Sequence, residues 1–107
     1  MIEFDARICP GPGTKVVNIY GDVDIASRIG IGRLFDQLAE QGDDTIVVSL
    51  ADCTYCDSNG VNALMALKKR VGPRLRVIIP PNCPARRVFE ICGLVEFLGL
   101  GTLVALA

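Results

Sequence analysis

Asp57-Ser58-Asn59-Gly60 sets a hydroxyl beside a carboxylate, and no other short stretch of the chain offers richer chemistry. The preceding Thr45-Ile46-Val47-Val48-Ser49-Leu50 reads as a buried strand. Val61, Leu64, Met65 and Lys68 then begin a helical periodicity. A serine in the first turn of that helix is exposed, where it can be recognised, blocked or modified. A single phosphate there changes the charge of a small surface by roughly two units. Nucleophilic catalysis fits the same serine poorly, because activation needs a nearby base and the chain has no histidine. Lys68 and Lys69 lie ten or more residues down the same helix, roughly 15 Å away at the usual helical rise. The plainest structural reading makes Asp57 the helix cap and Ser58 a small first-turn residue.

Other reactive side chains are less well placed. Asp22 and Asp24 stand at a polar corner, and Asp43 and Asp44 follow Gly42 between a helix and a strand. Both positions suit ordinary turn hydrogen bonding, and no histidine or glutamate stands at ligand spacing to complete a metal site. Cys53-Thr54-Tyr55-Cys56 is a C-x-x-C run, a pattern that supports disulfide exchange when a helix begins at its first cysteine. Here the helix begins after Cys56, which places the run in the preceding loop. The thiols then pack as small hydrophobes. Gly11-Pro12-Gly13 and Gly30-Ile31-Gly32 match no phosphate-binding loop.

The elements that must position these residues follow from periodicity and punctuation. Residues 2–9 form an edge strand, ended by Cys9-Pro10-Gly11-Pro12-Gly13, and Lys15 to Tyr20 pairs with it as a hairpin. Gly21-Asp22-Val23-Asp24 closes that strand in a tight corner. Ser27 caps a helix reaching about Gln41, with Ile31, Leu34, Phe35 and Leu38 on one face. Gly30 and Gly32 each cost on the order of 1 kcal/mol against alanine, which delays the regular helix to near Arg33. Thr45 to Leu50 is a strand covered on both faces, Asn59 to Val71 a helix, and Leu75 to Ile79 another strand. Asn82 or Cys83 caps a short helix with Pro84 in its first turn, and a last strand falls within Val95 to Leu106. The order ββαβαβαβ predicts an α/β fold with a mixed sheet and helices packed against it.

Composition bounds the function. The chain has 107 residues, half of them apolar and 6% aromatic, enough for one domain built on Val, Ile, Leu and Ala. A net charge of −1 argues against a nucleic-acid platform. Lys68, Lys69, Arg70, Arg74 and Arg76 cluster where cations favour a helix C-terminus, a solvated structural role. The N-terminus shows no secretory pattern, and Leu98 to Ala107 is too short to span a bilayer. Five cysteines without framework spacing read as reduced cytoplasmic thiols.

Taken together, the residues resemble the STAS domain family, and more narrowly the bacterial anti-sigma factor antagonists. Gly21-Asp22-Val23-Asp24 is similar to the family's acidic corner after its second strand. Thr45 to Leu50 followed by Asp57-Ser58-Asn59-Gly60-Val61 resembles its central strand and D-S-x-G loop. Arg87-Val88-Phe89 followed by Gly93-Leu94 resembles its late helix and exit. The match runs over about residues 14–98 of a single domain spanning 1–107. The resemblance implies a STAS-like mixed sheet of four or five strands and a non-enzymatic, cytoplasmic binding module without cofactor or metal.

By the same resemblance, Ser58 is phosphorylated by a partner serine kinase that is also the anti-sigma factor. Asp22, Asp24, Asp57, Ser58, Asn59 and Gly60 form the partner surface. The unphosphorylated form releases a sigma factor, and a serine phosphatase restores it, with no direct nucleic-acid contact or membrane insertion. Asn59 departs from the family by replacing a second hydroxyl, which leaves Ser58 the only acceptor in the tetrapeptide. Two alternatives stay open: a STAS adaptor of a lipid-transport or stress-signalling assembly without Ser58 switching, and a thiol–disulfide protein using Cys53 and Cys56.

Overall fold

A computed structural model describes residues 4–79. The short helix expected after Asn82 or Cys83, the strand expected within Val95 to Leu106, and the Arg87-Val88-Phe89 and Gly93-Leu94 motifs lie outside the described residues. The described elements are β1 (Asp5–Gly11), β2 (Thr14–Val23), α1 (Arg28–Glu40), β3 (Thr45–Cys56), α2 (Ser58–Val71) and β4 (Leu75–Ile78). They build a four-stranded mixed sheet in the order β1-β2-β3-β4, with β1 antiparallel to β2 and the other pairs parallel.

The hairpin runs further than its prolines suggest. Pro10 pairs with Lys15 and Gly11 with Thr14, so only Pro12 and Gly13 remain in the turn. A proline is tolerated there because β1 is an edge strand among the described elements, and the donor it lacks is not needed on the side away from β2.

Each parallel step is a strand–helix–strand crossover in the same direction along the sheet. Right-handed connections therefore put both helices on one face. Ile31, Phe35 and Leu38 of α1 and Val61, Leu64, Leu67 and Val71 of α2 enter one core with Val17, Ile19, Val48, Leu50 and Val77 of the sheet. Where the helices meet at the surface, Arg70 pairs with Asp36 at 2.6 Å. Both side chains are well exposed, so the pair is worth at most about 1 kcal/mol. The rest of the basic cluster is equally structural at Arg74, whose guanidinium donates to the carbonyls of Gly42 and Asp44.

Four local expectations are corrected. The helix after the acidic corner starts at Arg28, not near Arg33, because packing outweighs the glycine cost. A Cβ at Gly30 would stand 3.6 Å from the Phe4 ring, an ordinary contact, so packing does not require glycine at this position. Ser27 does not cap α1 with its side chain. Finally, β2 continues through Val23 rather than turning at Gly21, and β3 continues through Cys56 rather than stopping at Leu50.

The last correction has a definite cause. Between Thr14 and Val23 β2 takes its ordinary two-residue steps, but β3 covers the same length with extra residues, through register shifts at Asn18/Tyr20 and Gly21/Asp22. The inward positions of β3 accordingly pass from Ile46, Val48 and Leu50 to Cys53 and Cys56, with exposed doublets Ala51-Asp52 and Thr54-Tyr55 between them. Bulges turn a period of two into a period of three, which no alternation pattern detects. Gly21 lies at one of these shifts with φ +79°, a backbone conformation that residues with a Cβ adopt at a cost.

Candidate functional site at the carboxyl ends of the parallel strands

Strands β2 and β3 run side by side to the same end of the sheet, where Val23 pairs with Cys56. Their next residues are Asp24 and Asp57, and the Asp57 N–H donates to the Val23 carbonyl at 3.1 Å. The chain order therefore brings the acidic corner and the serine-bearing turn together. The carboxyl ends of parallel strands are where open α/β sheets commonly present their binding residues.

Asp57 is the N-cap of α2. Its Oδ1 accepts from the Asn59 N–H at 2.8 Å, and its Oδ2 accepts from the Asn59 side-chain amide at 3.4 Å. Gly60 and Val61 send their N–H groups to the Asp57 carbonyl at 3.1 and 3.2 Å. The donors of the first turn are thus largely consumed by Asp57 itself. Ser58 occupies the first helical position, exposed, and its hydroxyl has no hydrogen-bond partner among the described residues. The expected cap and the expected exposed serine are both present.

Asp24 is a cap as well. Its Oδ1 accepts from Ala26 and Ser27 N–H at 3.0 and 3.2 Å, while Ser27 Oγ accepts from the Asp24 N–H at 2.9 Å. This reciprocal box closes a 3-10 turn over Ile25–Ser27. Asp22, half-buried, accepts from Thr54 Oγ1 at 2.5 Å and so ties β2 to the bulged end of β3. Both carboxylates hold the corner in shape while keeping their charge at the surface.

Gly60 differs from the other expected contact residues because it is buried. A Cβ there would overlap Cys56 Sγ and stand 2.8 Å from Val23 Cγ1. The D-S-x-G glycine therefore lets α2 settle onto the strand ends, and this close approach fixes where Ser58 stands. Cys56 and Cys53 lie in β3, not in a loop, and both are buried in the core. Cys53 Sγ lies 3.1 Å from the Tyr55 carbonyl, and Cys56 Sγ lies 3.6 Å from the Asp57 carbonyl.

The sequence reading missed the exposed apolar residues of this end. Ile25 is 69% exposed, Ile29 64% and Tyr55 50%. A signal was present for two of them: Ile25 and Ile29 fall outside the Ile31, Leu34, Phe35, Leu38 stripe and are left without a core to enter. Among the described residues no group of three or more His, Cys, Asp or Glu side chains is arranged to hold a metal, and no helix is long and apolar enough to cross a membrane.

Comparison with known proteins agrees with this geometry. Residues 11–105 match the family described as Mlab, STAS domain. The anti-sigma-B factor antagonist of Bacillus subtilis is 31% identical over 86 residues, covering 78% of each chain. An anti-sigma factor antagonist from Mycobacterium paratuberculosis superposes with TM-score 0.85 at 17% identity, over 96% of this chain and 89% of that one. The Bacillus cell fate determinant SpoIIAA in its phosphorylated form superposes with TM-score 0.62 at 23% identity, over 88% and 86% of the two chains. The structural likenesses establish the mixed-sheet fold, and the sequence matches go further. The chain belongs to the STAS domain family, in its anti-sigma factor antagonist branch.

Proposed function

We propose that the chain binds an anti-sigma factor in its unphosphorylated form and thereby releases a sigma factor. In this reading the anti-sigma factor is also a serine kinase that switches the antagonist off by phosphorylating Ser58, and a serine phosphatase reverses the step. The observation that carries the reading is the state of Ser58. Its hydroxyl is exposed and uncommitted among the described residues, on a helix turn capped by Asp57 and packed closely at Gly60.

The surroundings suit a protein interface. Ile25, Ile29 and Tyr55 offer apolar area, and Asp22, Asp24 and Asp57 supply a fixed negative rim. Exposed apolar groups bordered by charges are a common signature of a contact surface. A phosphate on Ser58 adds charge of the same sign as that rim, which a partner selected for the unmodified surface must then desolvate. A mismatch of about 2–5 kcal/mol weakens binding roughly 30- to 4000-fold.

Incubation with the cognate kinase and ATP should add one phosphate to the wild type and none to Ser58→Ala. Ser58→Asp should bind the recovered partner at least roughly thirtyfold more weakly than wild type. Wild-type affinity in Ser58→Asp would instead support a STAS adaptor that does not switch.

A further inference from the structure

Gly32 lies inside α1, where glycine costs stability relative to alanine. Among the described residues no heavy atom stands within 4 Å of the place its Cβ would take. Gly60 is the opposite case, a glycine whose neighbours leave no room for a side chain. Neither a turn nor a close approach therefore accounts for Gly32. What its missing side chain leaves is space. Gly32 lines a cavity of about 70 Å³ between α1 and α2. Buried Phe35 and Leu67 form the apolar floor, Ala63 and Ala66 stand on the α2 side, and the Asp36–Arg70 pair lies at the end furthest from Ser58.

The position of this groove ties it to the serine turn. Each helix follows a strand that ends at the same end of the sheet, so α1 and α2 both start there and run side by side. Ile29, 64% exposed, stands one turn before Gly32 on α1, and Asn59 one turn before Ala63 on α2. Ala63 and Ala66 follow Ser58 by five and eight residues, roughly 7.5 and 12 Å along the helix. The exposed apolar patch of Ile25 and Ile29 thus continues along α1 into the groove. A specific interface engages roughly 20–30 residues a side. Asp22, Asp24, Ile25, Ile29, Tyr55 and the serine turn supply fewer than half of these. A partner seated on Ser58 must cover neighbouring surface, and the groove is apolar surface one helical turn away.

We propose that the groove between α1 and α2 receives an aliphatic side chain of the anti-sigma factor. Its size sets the class of that side chain. An apolar cavity of roughly 150 Å³ takes benzene. One of about 70 Å³ suits the end of a leucine, isoleucine or methionine and excludes an aromatic ring. Burying such a side chain against Phe35 and Leu67 is worth roughly ten- to a hundredfold in affinity. Gly32 gives up helix stability so that the space stays open. The identity of the partner rests on the reading of the chain as an antagonist given above; the open groove does not.

Gly32→Leu fills the groove from within. Leucine is the better helix former and its Cβ meets no described neighbour, so the urea midpoint should equal or exceed that of wild type. Xenon serves as an inert probe of the cavity. Raising its pressure should shift the amide resonance of Ala63 in wild type and leave it in place in Gly32→Leu. The anti-sigma factor recovered on the wild-type chain, once purified, should bind Gly32→Leu at least roughly tenfold more weakly in a calorimetric titration. Ala66→Leu, on the facing wall, should weaken it alike. A lowered urea midpoint, or xenon shifts that survive the substitution, would overturn the open groove. Undiminished affinity of Gly32→Leu for a partner that Ser58→Asp no longer binds would overturn the groove's role while leaving the serine switch standing. Weakened binding in Gly32→Leu with none in Ser58→Asp would support the groove and remove the switch. A wild-type chain that sediments as a dimer, with Gly32→Leu a monomer, would assign the groove to a second copy and overturn the proposal.

Discussion

Replacing Gly60 with alanine tests the close packing on which the serine turn depends. In an ordinary helix the change is favourable, because alanine exceeds glycine in helix propensity by about 1 kcal/mol. Here the new Cβ would overlap Cys56 Sγ and approach Val23 Cγ1 to 2.8 Å, and both neighbours are buried strand residues. Overpacking of that kind costs roughly 1–3 kcal/mol. With two hindered contacts the cost falls in the upper part of that range, and the net effect is a loss of about 1.5 kcal/mol. At the m-values of small domains this lowers the urea midpoint by roughly 0.5–1.5 M. Cys56→Ala removes the nearest atom, so Gly60→Ala should cost less in that background, with a coupling on the order of 1 kcal/mol in the double-mutant cycle. The sign decides the matter. A Gly60→Ala protein that unfolds at the same or higher urea than wild type would show propensity alone at work, and the account of a seated α2 would be wrong.

Three further outcomes follow from the capping and exposure of the same end. Asp57→Ala should lose about 1 kcal/mol by urea denaturation, while Asp57→Asn should keep most of the cap; a difference in partner affinity between Asp57→Asn and wild type then reports charge. Asp24→Ala dismantles the reciprocal box with Ser27 and should also cost about 1 kcal/mol, so an unchanged midpoint would deny the box any energetic role. Ile25→Ser and Ile29→Ser should change stability by no more than about 0.5 kcal/mol, since both side chains lie mostly in solvent. Each should weaken partner binding roughly tenfold in a titration, and undiminished affinity would remove that residue from the interface.

The fold and the site were legible to different depths, for physical reasons. The strands and helices were readable wherever burial follows a fixed period, as in Lys15 to Tyr20 or the Ile31, Leu34, Phe35, Leu38 stripe. Asp57 was readable as a cap because cap chemistry is local: a side-chain oxygen, two residues of backbone and nothing from elsewhere. The end of β3 was not readable, because its inward positions step from Leu50 to Cys53 to Cys56 in response to the register of β2. Asp24 was recognised as part of a corner, but Ser27 looked like the cap. Only the three-dimensional turn shows that the serine bonds backward to Asp24 rather than forward into α1. Gly60 carried the least local signal of all. Its necessity lies in Cys56 Sγ and Val23 Cγ1, and the second of these comes from another strand.

The arrangement also suits the proposed modification at Ser58, which would act on binding while sparing the fold. Near a helix N-terminus a negative group is favoured by roughly 0.3–1 kcal/mol, so a phosphate there does not oppose folding. Among the described residues the hydroxyl it would replace makes no hydrogen bond, so none of these is lost. Asp57 already takes the Asn59, Gly60 and Val61 donors through its side chain and carbonyl, so a phosphate would find most of the first-turn N–H groups engaged. The added charge is therefore left facing outward, beside carboxylates fixed in place by their own capping bonds. Its unfavourable energy appears only when a partner strips away the water. A site whose cap donors were vacant would draw a phosphate inward and mute a signal, whereas here the aspartate that positions the serine would leave a phosphate on it facing the surface.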